Sequence, residues 1–394
     1  MIRLSILLVA LLTTVAGVPG NLIAQSLSDQ EFQELRDRVQ AKIEGLYGKA
    51  DYPGVSVGFA LADGHSAGVA SGLADIESKV ALKPSDRLLA GSVGKTFVAA
   101  VLLQLAEEEK LDLDDPLAKW IGKEPWFDRL PNGKDITLRS LLNHTSGLIE
   151  YFEAKGFVEA MKANPDREWT PAERIAFVLD VNPLFAVGKG WSYADTNYIL
   201  LGLVAERAAN QPLFEAIDRR LLKPLKLAGI VPSDRQEIAG LVVGFADQPN
   251  PLGFNGRMLA GSKLIVNPQL EWAGGGLATT PEDLARWAKL LYEGGAFKKK
   301  ATLEEMLAGV DASSGRGGGN KSRYGLGVQI RDSEWGLSFG HGGWFPGYLT
   351  EVVYYPEKKI AVAVQFNTDA RRSLKKGPPA YATDIARVIL GEDK

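Results

Sequence analysis

A serine and a lysine stand three residues apart where an apolar segment begins. They are Ser92 and Lys95, within residues 90–95 (Ala-Gly-Ser-Val-Gly-Lys), and the chain stays rich in alanine, valine and leucine to about residue 109. This composition predicts a buried helix, in which side chains at i and i+3 share one face. A serine becomes a nucleophile when a base takes its proton, and burial can make a lysine that base. The spacing therefore indicates a nucleophile and its base, the alternative being a helix-capping serine beside a surface lysine.

A second group of polar residues precedes another predicted helix. Tyr193 and Asp195 lie in residues 191–202, which read Trp-Ser-Tyr-Ala-Asp-Thr-Asn-Tyr-Ile-Leu-Leu-Gly. A phenol near a lysine can carry a proton between the nucleophile and the leaving group. The segment is equally compatible with a buried tyrosine whose hydroxyl is hydrogen-bonded for structural reasons alone.

A third motif follows a predicted strand in the C-terminal part of the chain. Residues 340–344 read Gly-His-Gly-Gly-Trp and place His341 beside two glycines. Glycines let the edge of a strand approach a ligand closely. His341 can bind a substrate carboxylate or move a proton, and the alternative is a hydrogen-bonded structural histidine.

The two other histidines, His65 in a turn and His144 in residues 143–147 (Asn-His-Thr-Ser-Gly), are predicted to be structural. A Ser-His-Asp triad built on Ser146 stays open as an alternative, although residues 144–148 do not form the Gly-x-Ser-x-Gly turn of a nucleophile elbow. Three histidines without ligand spacing, and no cysteine, predict an enzyme without metal, cofactor or disulfide.

The elements that must position these residues follow from the hydrophobic pattern. Strands are predicted near both ends of the chain, over residues 55–61, 67–72, 324–330, 336–340, 348–355 and 359–366. Alternation is clear in the first of these, which indicates a strand with one buried face. Helices are predicted from Ser28, Thr170 and Thr280, where capping residues precede apolar residues, and over residues 380–390.

The simplest architecture is of the α/β class. The N- and C-terminal strands pair in one antiparallel β-sheet flanked by helices, with an all-helical region beside it. The predicted globular part covers residues 27–394, with the α/β part at about 27–92 and 276–394 and the helical part at about 93–275. The glycine-rich basic stretch at residues 315–323 and the charge cluster at residues 371–376 are expected to be solvated surface.

The first residues and the charge balance bear on location and partners. Arg3 precedes an apolar run over residues 4–18, shorter than the ~20 residues of a membrane span, and small residues follow. This layout predicts a signal peptide over residues 1–24 and export to a bacterial periplasm or the medium, with no stable membrane span after processing. An uncleaved membrane anchor is the alternative. A formal net charge of −3 lacks the basic excess of nucleic-acid-binding proteins, so no nucleic acid partner is expected.

The three motifs, in this order, resemble those of the penicillin-recognising serine hydrolases: class C β-lactamases, D-Ala-D-Ala carboxypeptidases, D-aminopeptidases and related esterases. Residues 111–116, 141–148 and 275–284 also look like segments of this family. The resemblance implies an α/β sandwich with a helical region and an acyl-enzyme on Ser92. It implies that Lys95 and Tyr193 form the acid/base pair and that the N–H groups of Ser92 and Trp344 form the oxyanion hole. The substrate-binding positions that it implies are Asp195, His341, Gly342 and Gly343.

Two positions depart from the commonest pattern of the family. Asp195 replaces an asparagine and can place a negative charge beside Lys95, and His341 replaces a lysine and is the weaker carboxylate anchor. We therefore expect an exported serine hydrolase that cleaves an amide or ester bond of a small peptide or ester, as a D-Ala-D-Ala carboxypeptidase- or D-aminopeptidase-like peptidase or an esterase. The alternatives are a penicillin-binding or sensor-like protein acylated without turnover and a weak class C-like β-lactamase. The sequence predicts no oligomeric state.

Overall fold

The computed structural model describes residues 26–49 and 51–393, so the predicted signal peptide at 1–24 lies outside the described residues. No helix of this described part is both long and apolar enough to cross a membrane. The α-helices of the described part are α1 (Asp29–Tyr47), α2 (Lys95–Glu107), α3 (Leu117–Ile121), α4 (Leu138–Leu142), α5 (Phe157–Ala163), α6 (Pro171–Ile175), α7 (Asp195–Ala209), α8 (Leu213–Ile217), α9 (Pro281–Tyr292), α10 (Lys300–Met306) and α11 (Pro378–Leu390).

The largest sheet of the described residues has nine strands. They are β1 (Gly54–Ala60), β2 (Ser66–Asp75), β3 (Val80–Ala81), β4 (Val310–Asp311), β5 (Arg323–Tyr324), β6 (Gln329–Ser333), β7 (Gly336–Phe345), β8 (Tyr348–Tyr355) and β9 (Ile360–Phe366). The spatial order is β4-β5-β6-β7-β8-β9-β1-β2-β3, and Val57 of β1 lies opposite Val364 of β9 in an antiparallel pair. The predicted sheet of N- and C-terminal strands is confirmed.

Short strands form three smaller sheets. Leu277–Thr279 pairs with Leu88–Leu89 and with Val231–Pro232, Phe245–Ala246 pairs with Gly256–Arg257, and Leu259–Ala260 pairs with Lys263–Leu264. Helices α2 to α8 fall within residues 93–275, which also contain most of these short strands. The division into an α/β part and a helical part stays a prediction.

The central strand β1 corrects one expectation. It was predicted to bury one face, but all seven of its residues are buried. Val57 and Phe59 belong to the core that α1 and α11 form on one side of the sheet. On the other side the N-terminus of α9 touches the strand, since a Cβ on Gly58 would lie 1.8 Å from the carbonyl oxygen of Pro281. Helices on both faces therefore leave β1 no solvent-exposed side.

Helix α9 connects the sheet to α2. The helix predicted from Thr280 is present, and its apolar residues Leu284, Trp287 and Leu291 are all buried. The Trp287 ring stacks on Phe97 of α2 with centroids 4.0 Å apart, and its Nε1 donates to the Thr96 hydroxyl at 2.8 Å. The first turn of α2 is therefore fixed against the body of the sheet.

Several element ends differ from the predictions. The strand predicted over residues 324–330 is divided into β5 and β6 because Gly325 and Gly327 form a turn, in which the Gly325 N–H donates to the Val328 carbonyl at 2.8 Å. Strand β7 continues to Phe345 instead of ending at Gly340. The helix predicted from Ser28 is confirmed, with the Ser28 and Glu31 side chains each bound to the other's backbone.

Candidate active site

Ser92 lies in a 3-10 turn, Gly91–Gly94, that leads directly into α2. Lys95 is the first residue of α2, and its side chain is fully buried. Its Nζ donates to the Ser92 hydroxyl at 3.1 Å and also to the carbonyl oxygen of Gly274. The predicted pairing of Ser92 with Lys95 is therefore present, on a tight turn instead of a regular helix.

Glycines allow two other segments to lie against this turn. Gly91 has φ +53°, and a Cβ there would meet the Trp344 backbone nitrogen of β7 at 2.5 Å. A Cβ on Gly94 would lie 1.6 Å from the Gly275 carbonyl oxygen. Neither approach leaves room for a larger residue, so backbone contacts fix the nucleophile between β7 and the segment that binds Lys95.

Asp195 places a carboxylate beside the lysine. It is the first residue of α7, and its Oδ1 lies 2.5 Å from Lys95 Nζ. Its own N–H donates to Glu150 Oε2 at 2.7 Å. The carboxylate expected next to Lys95 is thus in contact with its Nζ.

Two further buried carboxyl groups surround this ion pair, and neither belongs to a motif that the sequence reveals. Glu150 is 4% exposed and Glu271 is 5% exposed. Burial, with the nearby Asp195 charge, raises the pKa of Glu150 to about 8 and that of Glu271 to about 8. Both are therefore largely protonated at pH 7. Their apolar neighbours in sequence, Ile149 and Leu270 among them, were the available signal.

Tyr193 lies over the lysine, whose Nζ is 5.0 Å from the centre of its ring. Burial and the Asp195 charge hold the pKa of Tyr193 well above its usual value, an effect that the nearby Ser92 hydroxyl opposes. The Tyr193 N–H donates to the Arg316 carbonyl at 3.0 Å, and its carbonyl accepts from Arg316 Nη1 at 2.8 Å. The tyrosine is therefore an uncharged phenol, a proton donor, held at both ends of its backbone.

His341 is at the site but is not free. Its Nδ1–H donates to the Gly342 carbonyl at 2.6 Å, and its Nε2 accepts from the Tyr324 hydroxyl at 2.8 Å. Burial lowers the pKa of His341 to about 3, so the ring is neutral at pH 7. This geometry offers a substrate carboxylate neither a charge nor a free N–H, and it corrects that suggested role of His341.

Strand β7 presents an open edge to the nucleophile. Strand β6 pairs with β7 only as far as Gly340. Beyond that point the Gly342 N–H donates to Gln329 Oε1 at 3.0 Å. Because N–H groups two residues apart in a strand point the same way, the Trp344 N–H faces the same edge. The Trp344 ring is anchored by a hydrogen bond from Nε1 to Asp369 Oδ2 at 3.1 Å.

Two cavities meet at Ser92 and differ in character. The inner cavity, of about 330 Å³, has apolar walls and contains Asp195, Glu271 and Arg316. Its apolar wall residues include Tyr151, Phe152, Leu252, Leu270 and Phe345. The polar cavity, of about 270 Å³, lies along β7 and contains Arg331, Glu351 and Arg371. The nucleophile therefore separates an apolar, acidic side from a polar side.

Two stretches expected to be plain surface reach this site. Arg316 and Gly317, from the glycine-rich stretch at 315–323, line the inner cavity, and Arg371, from the cluster at 371–376, lines the polar one. That expectation was wrong for these residues. The polar composition of a loop does not show which cavity the loop covers in the folded chain.

The remaining candidates are structural. The buried Ser146 hydroxyl donates to Asn197 Oδ1 at 2.6 Å, and His144 Nδ1 accepts from the Ala194 N–H at 3.2 Å. No hydrogen bond joins these two residues in the described structure, so the triad alternative has no geometric basis. His65 pairs with Asp63 at 3.0 Å. Across residues 26–49 and 51–393, no group of three or more metal-ligating side chains is present.

Comparison of the sequence with known proteins identifies relatives of this chain. The chain is 24% identical over 329 residues to a D-aminopeptidase of Brucella anthropi, and the alignment covers 81% of this chain but only 56% of that protein. It is 28% identical over 306 residues to esterase EstB of Burkholderia gladioli, covering 73% of this chain and 72% of the esterase.

Solved structures have the same fold. A D-stereospecific amidohydrolase from Streptomyces sp. is 27% identical with a TM-score of 0.72, over 87% of this chain and 98% of that one. The sequence model of one family, described as Beta-lactamase, matches residues 35–385. The chain belongs to the Beta-lactamase family, and the relatives named here are hydrolases of amide or ester bonds.

Proposed function

We propose that this protein is an exported serine hydrolase that forms an acyl-enzyme on Ser92 and cleaves an amide or ester bond. The observation that carries the proposal is the fully buried Lys95, whose Nζ contacts the Ser92 hydroxyl at 3.1 Å and the Asp195 carboxylate at 2.5 Å. Lysine side chains are seldom fully buried, and one that contacts a serine hydroxyl can serve as its base.

In the proposed mechanism, Lys95 acts after losing one proton from its ammonium form. The Ser92 oxygen then attacks the substrate carbonyl carbon and its proton passes to Lys95 Nζ. The N–H groups of Ser92 and Trp344 stabilise the oxyanion. Tyr193 donates its proton to the leaving nitrogen or oxygen and regains one from Lys95. Water then attacks the ester of Ser92 along the same proton path in reverse, which releases the acid and restores the serine.

The inner cavity favours a substrate with a free amino group near the scissile carbonyl. Two carboxyl groups, those of Asp195 and Glu271, line it, and an ammonium group bound there would lower the raised pKa of Glu271 and pair with its carboxylate. Glu271 receives one hydrogen bond from the described residues, from the Gly276 N–H at 3.3 Å, and it lines the cavity. A substrate ammonium would give the Glu271 carboxyl group a further hydrogen-bond donor. An aminoacyl amide or peptide is therefore the proposed substrate class.

The names of the relatives support this choice in part. One is a D-aminopeptidase and one solved structure is a D-stereospecific amidohydrolase. The esterase relative supports a second candidate, an esterase that uses the same nucleophile. A carboxypeptidase is less favoured, because His341 offers no charge to a terminal carboxylate.

A matched pair of substrates tests the proposal. We expect kcat/KM for D-alanine p-nitroanilide to exceed that for its N-acetyl derivative by about tenfold or more, since one charge interaction is worth at least ~1.4 kcal/mol at this depth. Both activities should disappear in Ser92→Ala. Equal rates on the two anilides with good turnover of p-nitrophenyl acetate would favour the esterase.

The alternatives without turnover are separated by kinetics. A penicillin-binding or sensor-like protein would give a single burst equal to the enzyme concentration, and a weak β-lactamase would turn over a cephalosporin. Steady release of p-nitroaniline for many enzyme equivalents, with a cephalosporin untouched, is the result that we expect.

Export is proposed from the sequence alone. The apolar run at residues 4–18 after Arg3, followed by small residues, supports it. N-terminal sequencing of the protein from the periplasm or the medium of a bacterial host is expected to show a start between residues 18 and 25. Recovery of the intact N-terminus in the membrane fraction would instead support an uncleaved anchor.

A further inference from the structure

A third cavity lies next to the inner one, and the two share one lining residue. This outer cavity has a volume of about 650 Å³ and is lined by Ile149, Ala154, Leu184, Phe185 and Trp191, among others. Arg316 is the one residue of the described chain that lines both the inner and the outer cavity. Leu184, at 54% exposure, is one of the few large apolar side chains that the described surface leaves open.

The Arg316 guanidinium is fixed where it lies. Its Nε and Nη2 donate to Glu153 Oε1 at 2.9 and 2.8 Å, and its Nη1 is 3.4 Å from Glu150 Oε2. Nη1 also donates to the Tyr193 carbonyl at 2.8 Å, and the group packs 5.3 Å from the centre of the Phe152 ring. An uncharged substrate group cannot replace these partners, so moving the guanidinium would separate the half-buried Arg316 from the Glu153 carboxylate.

The glycines beside Arg316 explain why this loop lies so close. A Cβ on Gly315 would meet the Trp191 carbonyl oxygen at 2.0 Å, and one on Gly317 would meet the Tyr193 Cβ at 2.9 Å. The loop backbone is therefore packed directly on the segment that carries Tyr193. Its arginine has no alternative position that keeps these contacts and both carboxylate partners.

We propose that Arg316 is the residue that limits the length of the acyl group, because its guanidinium closes the inner cavity against the outer one. The proposal rests on the role proposed for Ser92. The apolar walls of the inner cavity receive the acyl chain, and the chain ends at the Arg316–Glu153 ion pair. Without the arginine the two cavities join, and a longer chain reaches the apolar walls around Leu184 and Phe185.

A chain-length series measures this directly. The substrates are p-nitrophenyl acetate, butyrate and octanoate, which share one leaving group. In Arg316→Ala we expect the octanoate-to-acetate ratio of kcat/KM to rise by about tenfold or more, because each methylene group removed from water is worth about a factor of four. Arg323→Ala is the matched control, since Arg323 is an exposed arginine of the same glycine-rich stretch, at the start of β5 and outside all three cavities. Its ratio should equal that of the wild type.

A ratio is used because Arg316 also holds the Tyr193 backbone, so its loss can lower every rate. If Arg316→Ala lowers kcat/KM for short and long esters by the same factor, the octanoate-to-acetate ratio is unchanged. That result would overturn the proposal and leave Arg316 only this positioning role. Adding Ala154→Trp to Arg316→Ala should abolish the rise, because the indole fills the outer cavity, whereas Ala154→Trp alone should leave the ratio unchanged.

Two controls keep the result interpretable. If Arg316→Ala does not fold, Glu153→Gln takes its place, because it removes the charge that receives two hydrogen bonds from Arg316. A raised octanoate-to-acetate ratio in this variant supports the proposal, and an unchanged ratio overturns it. Ester hydrolysis that survives in Ser92→Ala would refute the proposed function itself. Hydrolysis that depends on Ser92 with a fixed ratio would refute only the role of Arg316.

Discussion

Replacing Asp195 by asparagine is expected to move the acidic limb of the kcat/KM profile to lower pH. Lys95 must lose a proton before it can accept one from Ser92, and the carboxylate 2.5 Å from its Nζ opposes that loss. Asparagine has nearly the same shape and keeps one acceptor oxygen, but it carries no charge. The neutral form of Lys95 is therefore reached at lower pH in the variant.

The magnitude follows from the charges around the pair. At an effective dielectric constant of about 20, two unit charges 2.5 Å apart attract by about 7 kcal/mol, which is an upper limit on the effect of removing the Asp195 charge. The neighbours reduce this limit. Asp195 helps to raise the pKa of Glu150 and of Glu271 to about 8, so its removal lets these groups ionise and restore negative charge. We expect a net shift of about one pH unit, the low end for an opposite charge at close range.

The assay is kcat/KM for D-alanine p-nitroanilide between pH 5 and 9, with folding checked by circular dichroism. Asp37→Asn, on the exposed face of α1, is the matched control and should leave the profile unchanged. The double variant Asp195→Asn with Glu271→Gln should shift the limb further, because one of the compensating carboxyl groups is gone. An acidic limb at the wild-type pH in both variants would show that Asp195 does not influence the base.

Four further outcomes are expected. Ser92→Ala should lose all but a trace of the hydrolysis with an unchanged melting curve, and a fluorophosphonate should label the wild type once, on the peptide that contains Ser92; a label on Ser146 would contradict the assignment. Dialysis against a strong chelator should leave activity intact, and a loss restored by zinc would refute the serine mechanism. Trp287→Ala should lower the free energy of unfolding by roughly 3–5 kcal/mol, measured in urea, because it empties the contact between α9 and α2. Glu271→Gln should gain stability relative to the wild type between pH 5 and 8, since a carboxyl group whose folded pKa is about 8 costs stability as pH rises above its unfolded value.

The fold could be predicted because its periodicity is local. The Ser28 capping box, the strand pattern near Val57 and the stripe around Trp287 each depend on a few neighbouring residues, and the structure contains all three elements. The number of faces of a strand that other elements cover does not depend on neighbouring residues alone. Whether β1 has one buried face or two depends on α9, which lies more than two hundred residues away in sequence.

The same distinction between local and distant residues applies to the site. Ser92, Lys95, Tyr193 and Asp195 lie in short motifs, and the structure brings these four together. The residues that the sequence did not indicate come to the site singly, from separate segments. They are Glu150, Glu271, Arg316 and Arg371. A lone glutamate or arginine has no spacing to read, and only the folded chain shows that it meets the nucleophile's neighbours.

The position of His341 illustrates a different limit. Its motif indicates correctly that the histidine lies at the strand edge beside Ser92. The hydrogen bond from the Tyr324 hydroxyl, however, engages the second ring nitrogen. Tyr324 lies on β5, and the hydrophobic pattern does not separate β5 from β6, so the partner that occupies the second ring nitrogen could not be anticipated.

The pairing of β1 with β9 governs when the chain can acquire its structure. Val57 lies opposite Val364, so the central strand finds one of its neighbours only after almost the whole chain has been synthesised. Such distant pairing makes folding slow and exposes an unpaired edge meanwhile, which holding chaperones must cover. The proposed export would benefit from this delay, because a closed sheet cannot be threaded through a translocation channel. The strand order leaves the central sheet incomplete until its last strand becomes available.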